Sequence, residues 1–135
     1  MPYAGTGVVG MTALRELCAA ALAPIEEGDP PVTTGPVDSI EPPALMVLWD
    51  DPMLTSETSR LWRARLAVYC FAGRVEPDEG FATLERLTDH VAARLRADRY
   101  TWPFATARAP RLLEVARIPL LVTRLIYACP VTIGG

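Results

Sequence analysis

"RLWRARLAVYCF", residues 60–71, sets arginines among apolar side chains and then turns almost wholly apolar. Side chains of a strand alternate between faces, so Trp62, Ala64, Leu66, Val68 and Cys70 share one face of this segment, while Leu61, Arg63, Arg65, Ala67, Tyr69 and Phe71 share the other. The first set is uniformly apolar and reads as core. The second mixes guanidinium groups with aromatic rings, the side chains that dominate protein interfaces.

The strand needs neighbours. "ALMVLW", 44–49, is a short apolar run bounded by Pro43 and by "DDP", and it predicts a buried strand followed by a loop over 50–59. Residues 112–118 and 120–129 alternate as two further strands, broken at Pro119 into a hairpin or a bulged ribbon. One face of the last of them carries Leu121, Thr123, Leu125 and Tyr127.

Two helices are expected. "EPDEGFATLERLTDHVAARLRAD", 76–98, opens with Pro77 and carboxylates, which suit a helix N-terminus, and aligns Phe81, Leu84, Leu87, Thr88, Val91 and Leu95 on one stripe. Residues 12–25 align Leu14, Leu17, Cys18, Ala21, Leu22 and Ile25, with Thr12 as the N-cap and Pro24 near the stop. Between them, 26–43 is rich in Pro, Gly, Asp and Thr and reads as an extended loop.

The resulting order, α-β-β-α-β-β, predicts a single α+β domain over 1–135: a mostly antiparallel sheet of about four strands with both helices on one face. The other face is then uncovered, a place for a partner. Residues 1–11 are expected to be a flexible arm.

Composition narrows the partner. The chain has 135 residues, half of them apolar and 21% charged, with net charge -3. An acidic chain lacks the basic field that phosphate backbones require, so specific nucleic-acid binding is not expected. All 13 cations are arginine, and the absence of Lys, Asn and Gln fits a GC-rich coding sequence. Cys18, Cys70 and Cys129 are isolated in apolar surroundings and read as buried thiols of a reducing compartment. No basic residue precedes Arg15, which argues against a secretion signal, and charges interrupt the apolar C-terminal run, which argues against a membrane span.

The motifs carry little chemistry. "GTGVVG", 5–10, matches a dinucleotide-binding spacing, but only four residues precede it, leaving no room for the strand of that motif. His90 is the single histidine and sits within the second helix. There is no CxxC or HxxxH spacing for a metal, and the Asp50–Asp51 pair before Pro52 reads as a turn. Neither an enzyme, a cofactor nor a metal site is expected. Arg94, Arg96 and Arg99 suit a helix C-terminus, and "RYTWPF", 99–104, interleaves arginine with aromatics in the manner of a protein contact. The expected interface residues are Arg63, Arg65, Tyr69, Phe71, Tyr100, Trp102, Arg124 and Tyr127.

Four stretches, "PPALMVLWDDP", the alternating strand running into "AVYCFAGR", "PDEGFATLERLTDHVAARL" and "LLVTRLIYACPVTI", together resemble tail terminator and minor tail proteins of long-tailed (siphovirus) actinobacteriophages. The Pro-rich segment 26–43 departs from the family pattern. The resemblance implies a structural virion protein, made in the bacterial host cytoplasm, that forms a homohexamer ring at the head-proximal end of the tail tube. Such a ring ends tube polymerisation, contacts the major tail tube protein and the neck or head-completion protein, and lets the genome pass through its lumen. Two other readings stay open, another head–tail connector and a small host ligand-binding α+β domain. On the ring reading, Arg63→Glu or Arg65→Glu should weaken assembly and leave the monomer folded.

Overall fold

The computed structural model describes residues 8–34, 40–58, 61–73 and 77–133. In chain order it contains β1 (Val8–Val9), α1 (Met11–Leu22), β2 (Val32–Thr33), β3 (Ala44–Ser56), β4 (Leu61–Gly73), α2 (Pro77–Arg96), β5 (Phe104–Ala107), β6 (Arg111–Val115) and β7 (Ile118–Thr132). All seven strands join one mixed sheet of order β1-β7-β4-β3-β2, with β5 and β6 also pairing with β7. β1 and β2 run parallel to their neighbours; the other pairings are antiparallel.

The expected sheet of about four antiparallel strands is therefore wrong. β1 and β2 have two residues each and β5 has four, too short to show an alternating pattern, and their pairing comes from longer neighbours that supply the hydrogen-bonding edge. Val8 and Val9, expected in the N-terminal arm, pair with Val131 and Thr132; residues 1–7 lie outside the described residues.

β3 is also longer than expected. The "DDP" segment makes a bulge instead of a turn: pairing with β4 shifts between Trp49 and Leu54 and then resumes as far as Ser56 opposite Trp62. Asp50 thereby stays beside the sheet. α1 begins one residue before Thr12, and its N-cap is Gly10 with no side-chain capping bond.

The break at Pro119 does not occur either. β6 and β7 are joined by Ala116 and Arg117, both at positive φ (52° and 68°), with Val115 paired to Ile118. Pro119 fits in β7 opposite Glu114 because pairing with β4 ends at Leu121, leaving that stretch with β6 alone as a partner among the described residues. Two-residue hairpins with two left-handed residues favour Asn-Gly, and left-handed backbone costs an L-residue about 1–2 kcal/mol. Ala116→Asn with Arg117→Gly is expected to stabilise the fold by about 1–2 kcal/mol in urea denaturation; no gain would mean that the turn is not strained.

Both helices lie on one face of the sheet. Leu14, Cys18 and Leu22 of α1 and Leu84, Leu87, Val91 and Leu95 of α2 pack with Leu45 and Val47 of β3, Ala64, Leu66, Val68 and Cys70 of β4, and Leu125, Tyr127, Cys129 and Val131 of β7. Phe81, expected on the buried stripe, is exposed. The helix face of β4 is the uniformly apolar one, as side-chain alternation requires. No helix among the described residues is long and apolar enough to cross a membrane.

The three thiols are buried in this core. Burial pushes Cys18 and Cys70 up to about 12 from 9.0 and raises Cys129 as well. Well below pH 9 the thiols are neutral in both states. As pH rises from 9 toward 12, the unfolded chain loses protons that the folded chain keeps, so stability falls by up to about 1.4 kcal/mol per pH unit for each thiol. The chain has no lysine to titrate in that range. Urea denaturation is expected to show a flat midpoint from pH 7 to 8.5 and a steep loss by pH 10, with most of the slope removed in the Cys18→Ala/Cys70→Ala/Cys129→Ala variant. Equal slopes in the two proteins would contradict thiol burial.

Candidate interaction surface

The face of the sheet turned away from the helices carries Arg63, Arg65, Ala67, Tyr69 and Phe71 from β4, opposite Pro130, Ala128, Ile126, Arg124 and Val122 of β7. Two different surfaces result. At the Phe71 end the face is a second small core, where Phe71 is 0% exposed and packs with Met46, Leu120 and Val122, flanked by Ile40, Leu48, Leu113 and Val115. The β6–β7 hairpin supplies Leu113 and Val115, so the chain covers this end itself. A wholly uncovered outer face, as sequence predicted, is thus corrected.

The middle of the face is ionic. Asp50 is 6% exposed and accepts from Arg65 Nη2 at 3.3 Å; its second oxygen lies 3.4 Å from Arg124 Nη1. Arg124 Nη1 also donates to the Tyr69 hydroxyl at 3.1 Å, and its guanidinium carbon lies 5.9 Å from the Tyr69 ring centre. Ala67 and Ile126, paired in the row between Arg65 and Tyr69, are fully buried. Long arginine stems and a tyrosine ring on either side can shield such an apolar pair while their polar ends remain at the surface.

One carboxylate is thus shared by two guanidinium groups, which leaves net positive charge on a partly buried network. The Nε atoms of Arg65 and Arg124 are buried with no hydrogen-bond partner among the described residues. Arg63 is different, because its Nε donates to the exposed Glu57 at 2.7 Å and its Nη1 to the Ala128 carbonyl at 3.4 Å.

Open grooves flank the network. One, of about 370 Å3, is lined by Tyr69, Arg108, Ala109, Arg111, Val122, Thr123 and Arg124. The other, of about 440 Å3, lies between Pro52, Thr55 and Glu57 on one side and Phe104 on the other, with Arg63 and Arg65 on its wall.

The expected interface residues therefore separate. Arg63, Arg65, Tyr69 and Arg124 are together on the outer face. Phe71 shares that face but is core. Tyr127 is on the opposite face, paired with Leu66 among the helix-packed residues, because β7 pairs with β4 in a register that puts odd-numbered residues from 123 to 131 toward the helices. Tyr100 and Trp102 are divided by a turn in which Asp98 accepts from the Thr101 backbone at 3.3 Å and its hydroxyl at 2.6 Å: Tyr100 is 85% exposed, while Trp102 enters the helix-side core.

Asp50 is the organising residue that sequence reading took for a turn. Its signal was parity with Met46 and Leu48, which places it on the Arg65 face. His90 lines a separate groove of about 250 Å3 with Asp29 and Arg86. Among the described residues no group of three or more His, Cys, Asp or Glu is placed to hold a metal ion.

No protein-family model matches the chain, and no characterised protein matches its sequence. The surface sets arginine and tyrosine, held in place by internal bonds, over an apolar floor beside grooves that open to solvent.

Proposed function

We propose that the chain is a structural subunit of a long-tailed phage particle, a tail terminator that forms a ring, ends tube polymerisation and offers a docking surface to the neck. The observation that carries this reading is the outer face of β4 and β7, where Arg65, Arg124 and Tyr69 are fixed around Asp50 between two open grooves. Fixed interface side chains lose less entropy on association, which suits a subunit that must assemble in one geometry. The resemblance of the four quoted sequence stretches supplies the particle and the place in it. The partners on this reading are further copies of the chain, the tail tube protein and a neck protein.

Arg65 is no longer a clean probe of the seam, since its replacement by Glu would set a second carboxylate beside buried Asp50. Arg63→Glu is cleaner, because Arg63 pairs with exposed Glu57. It should leave the melting temperature within a few degrees of the parent and weaken self-association about tenfold or more in sedimentation velocity. Unchanged association would remove Arg63 from the seam.

The deciding experiment is electron microscopy of lysates from a phage whose copy of this gene carries an early stop codon. Overlong tails separated from filled heads are the expected result. Normal-length tails beside unjoined heads would move the role to the neck, and intact infectious particles would overturn the virion reading.

A further inference from the structure

We infer that successive copies of the chain join head to tail, the Ile25–Glu26–Glu27 turn of one copy entering the Arg108–Arg111–Arg124 groove of the next. The inference rests on the ring reading and specifies its seam.

The turn after α1 is built to project. Ile25 is 77% exposed and Glu26 and Glu27 are exposed, an apolar side chain beside two carboxylates. Water alone would favour a mobile loop here, yet the backbone is fixed from several directions. Asp29 Oδ2 accepts from the backbone of Ile25 at 2.9 Å and of Glu26 at 3.0 Å, and the Asp29 backbone donates to the Glu26 carbonyl at 3.1 Å. From α2, Arg94 donates to Asp29 at 2.8 Å and to the carbonyls of Ala23 and Ala21 at 3.0 and 3.3 Å, tying off the end of α1. Gly28 takes φ 94°, a conformation costly for an L-residue, and so completes the turn. Presenting an exposed isoleucine on a braced turn is the arrangement of an anchor whose ordering cost is met before binding.

The groove has the complementary chemistry. Its apolar wall includes Val122 and Ala109, and exposed Arg108 and Arg111 stand beside Arg124. About 370 Å3 of open volume exceeds what one isoleucine side chain needs, leaving room for the two carboxylates to reach the arginines. Charge is segregated in the same sense between the helical segments and the strands. Residues 11–29 and 77–99, the helical side, hold nine carboxylates and five arginines, whereas 44–58, 61–73 and 104–132, the strands beyond them, hold four carboxylates and six arginines. An acidic knob and a basic groove on different parts of one subunit make a heterologous contact, the kind that closes into rings when its rotation permits.

Two variants test this. Ile25→Ala/Glu26→Ala/Glu27→Ala removes the knob and keeps Asp29 and Arg94; Arg108→Glu/Arg111→Glu reverses the groove. Each should keep the parent circular dichroism and melting behaviour, and each alone should associate about a hundredfold more weakly than the parent protein in sedimentation and native mass spectrometry. Mixed in equal amounts, they should stop at a 1:1 dimer, because one copy retains a groove and the other a knob. Association of either variant at parent strength, or no dimer on mixing, overturns the knob-and-groove seam while parent rings keep the ring reading intact. A parent protein that stays monomeric at about 100 μM overturns both, since specific seams of this kind hold well below that concentration.

Discussion

Asp50→Ala is expected to destabilise the protein by about 2–3 kcal/mol, a value below the usual cost of breaking a buried ion pair because both arginines keep some contact with water. Removing the carboxylate leaves Arg65 and Arg124 facing one another with no anion between them. For a domain of this size the loss amounts to a fall in melting temperature of roughly 10 °C. Thermal and urea denaturation would measure it, and a cost below about 1 kcal/mol would mean that the network is held from outside the subunit. The variant Asp50→Leu/Arg65→Met/Arg124→Met gives a second reading. Replacing a whole buried ionic group with apolar side chains of similar volume is often neutral or stabilising, so most of the lost stability should return. On the ring reading, self-association should not return with it, because the surface would have lost the charges that reading assigns to the contact. Recovery of both would show that the network serves stability alone.

Phe71→Ala is expected to cost about 3–5 kcal/mol, the range for deleting a fully buried phenylalanine. The residue belongs to the outer face by strand alternation, yet it is sealed by Met46, Leu120 and Val122 within the same subunit. Its loss should therefore be felt by an isolated monomer at any protein concentration. If the cost appeared only when copies associate, Phe71 would be an interface residue after all. Phe71→Leu, which keeps most of the volume, should cost about 1–2 kcal/mol and separate cavity formation from the loss of an aromatic ring.

These two residues show where sequence reading stopped. α2 was legible because Leu84, Leu87, Val91 and Leu95 recur at helical spacing and all four are buried. The two faces of β4 were legible because alternation is a covalent property of an extended chain, independent of what surrounds it. Which residues of that strand meet solvent was not. Phe71 and Tyr69 have the same parity, and the packing of Met46, Leu120 and Val122 with the flanking β6 residues decides that one is sealed and the other part-exposed.

Pairing register decided more. Tyr127 is aromatic and belongs to a strand with two unlike faces, so local pattern could not assign it to either side. Its pairing with Leu66, which is distant in sequence, does so. Asp50 followed the same logic in reverse: "DDP" is a good local turn signal, but a long neighbouring strand offered pairing on both sides of the segment and converted it to a bulge. The bracing of the Ile25 turn by Arg94 ties α2 to the segment that follows α1, more than sixty residues away, and leaves no trace in local spacing.

By itself, the sequence determined what depends on neighbours a few residues away: the extent of α2, the apolar helix-facing side of β4, the isolated burial-prone cysteines and the charge composition that disfavours nucleic acid. Tertiary structure alone decided the seven-stranded mixed sheet, the Asp50-centred network, the split fates of Tyr100 and Trp102, and the braced turn opposite in charge to the arginine groove. Periodicity is written in local chain geometry, whereas register, edge pairing and shared carboxylates depend on which distant segments meet.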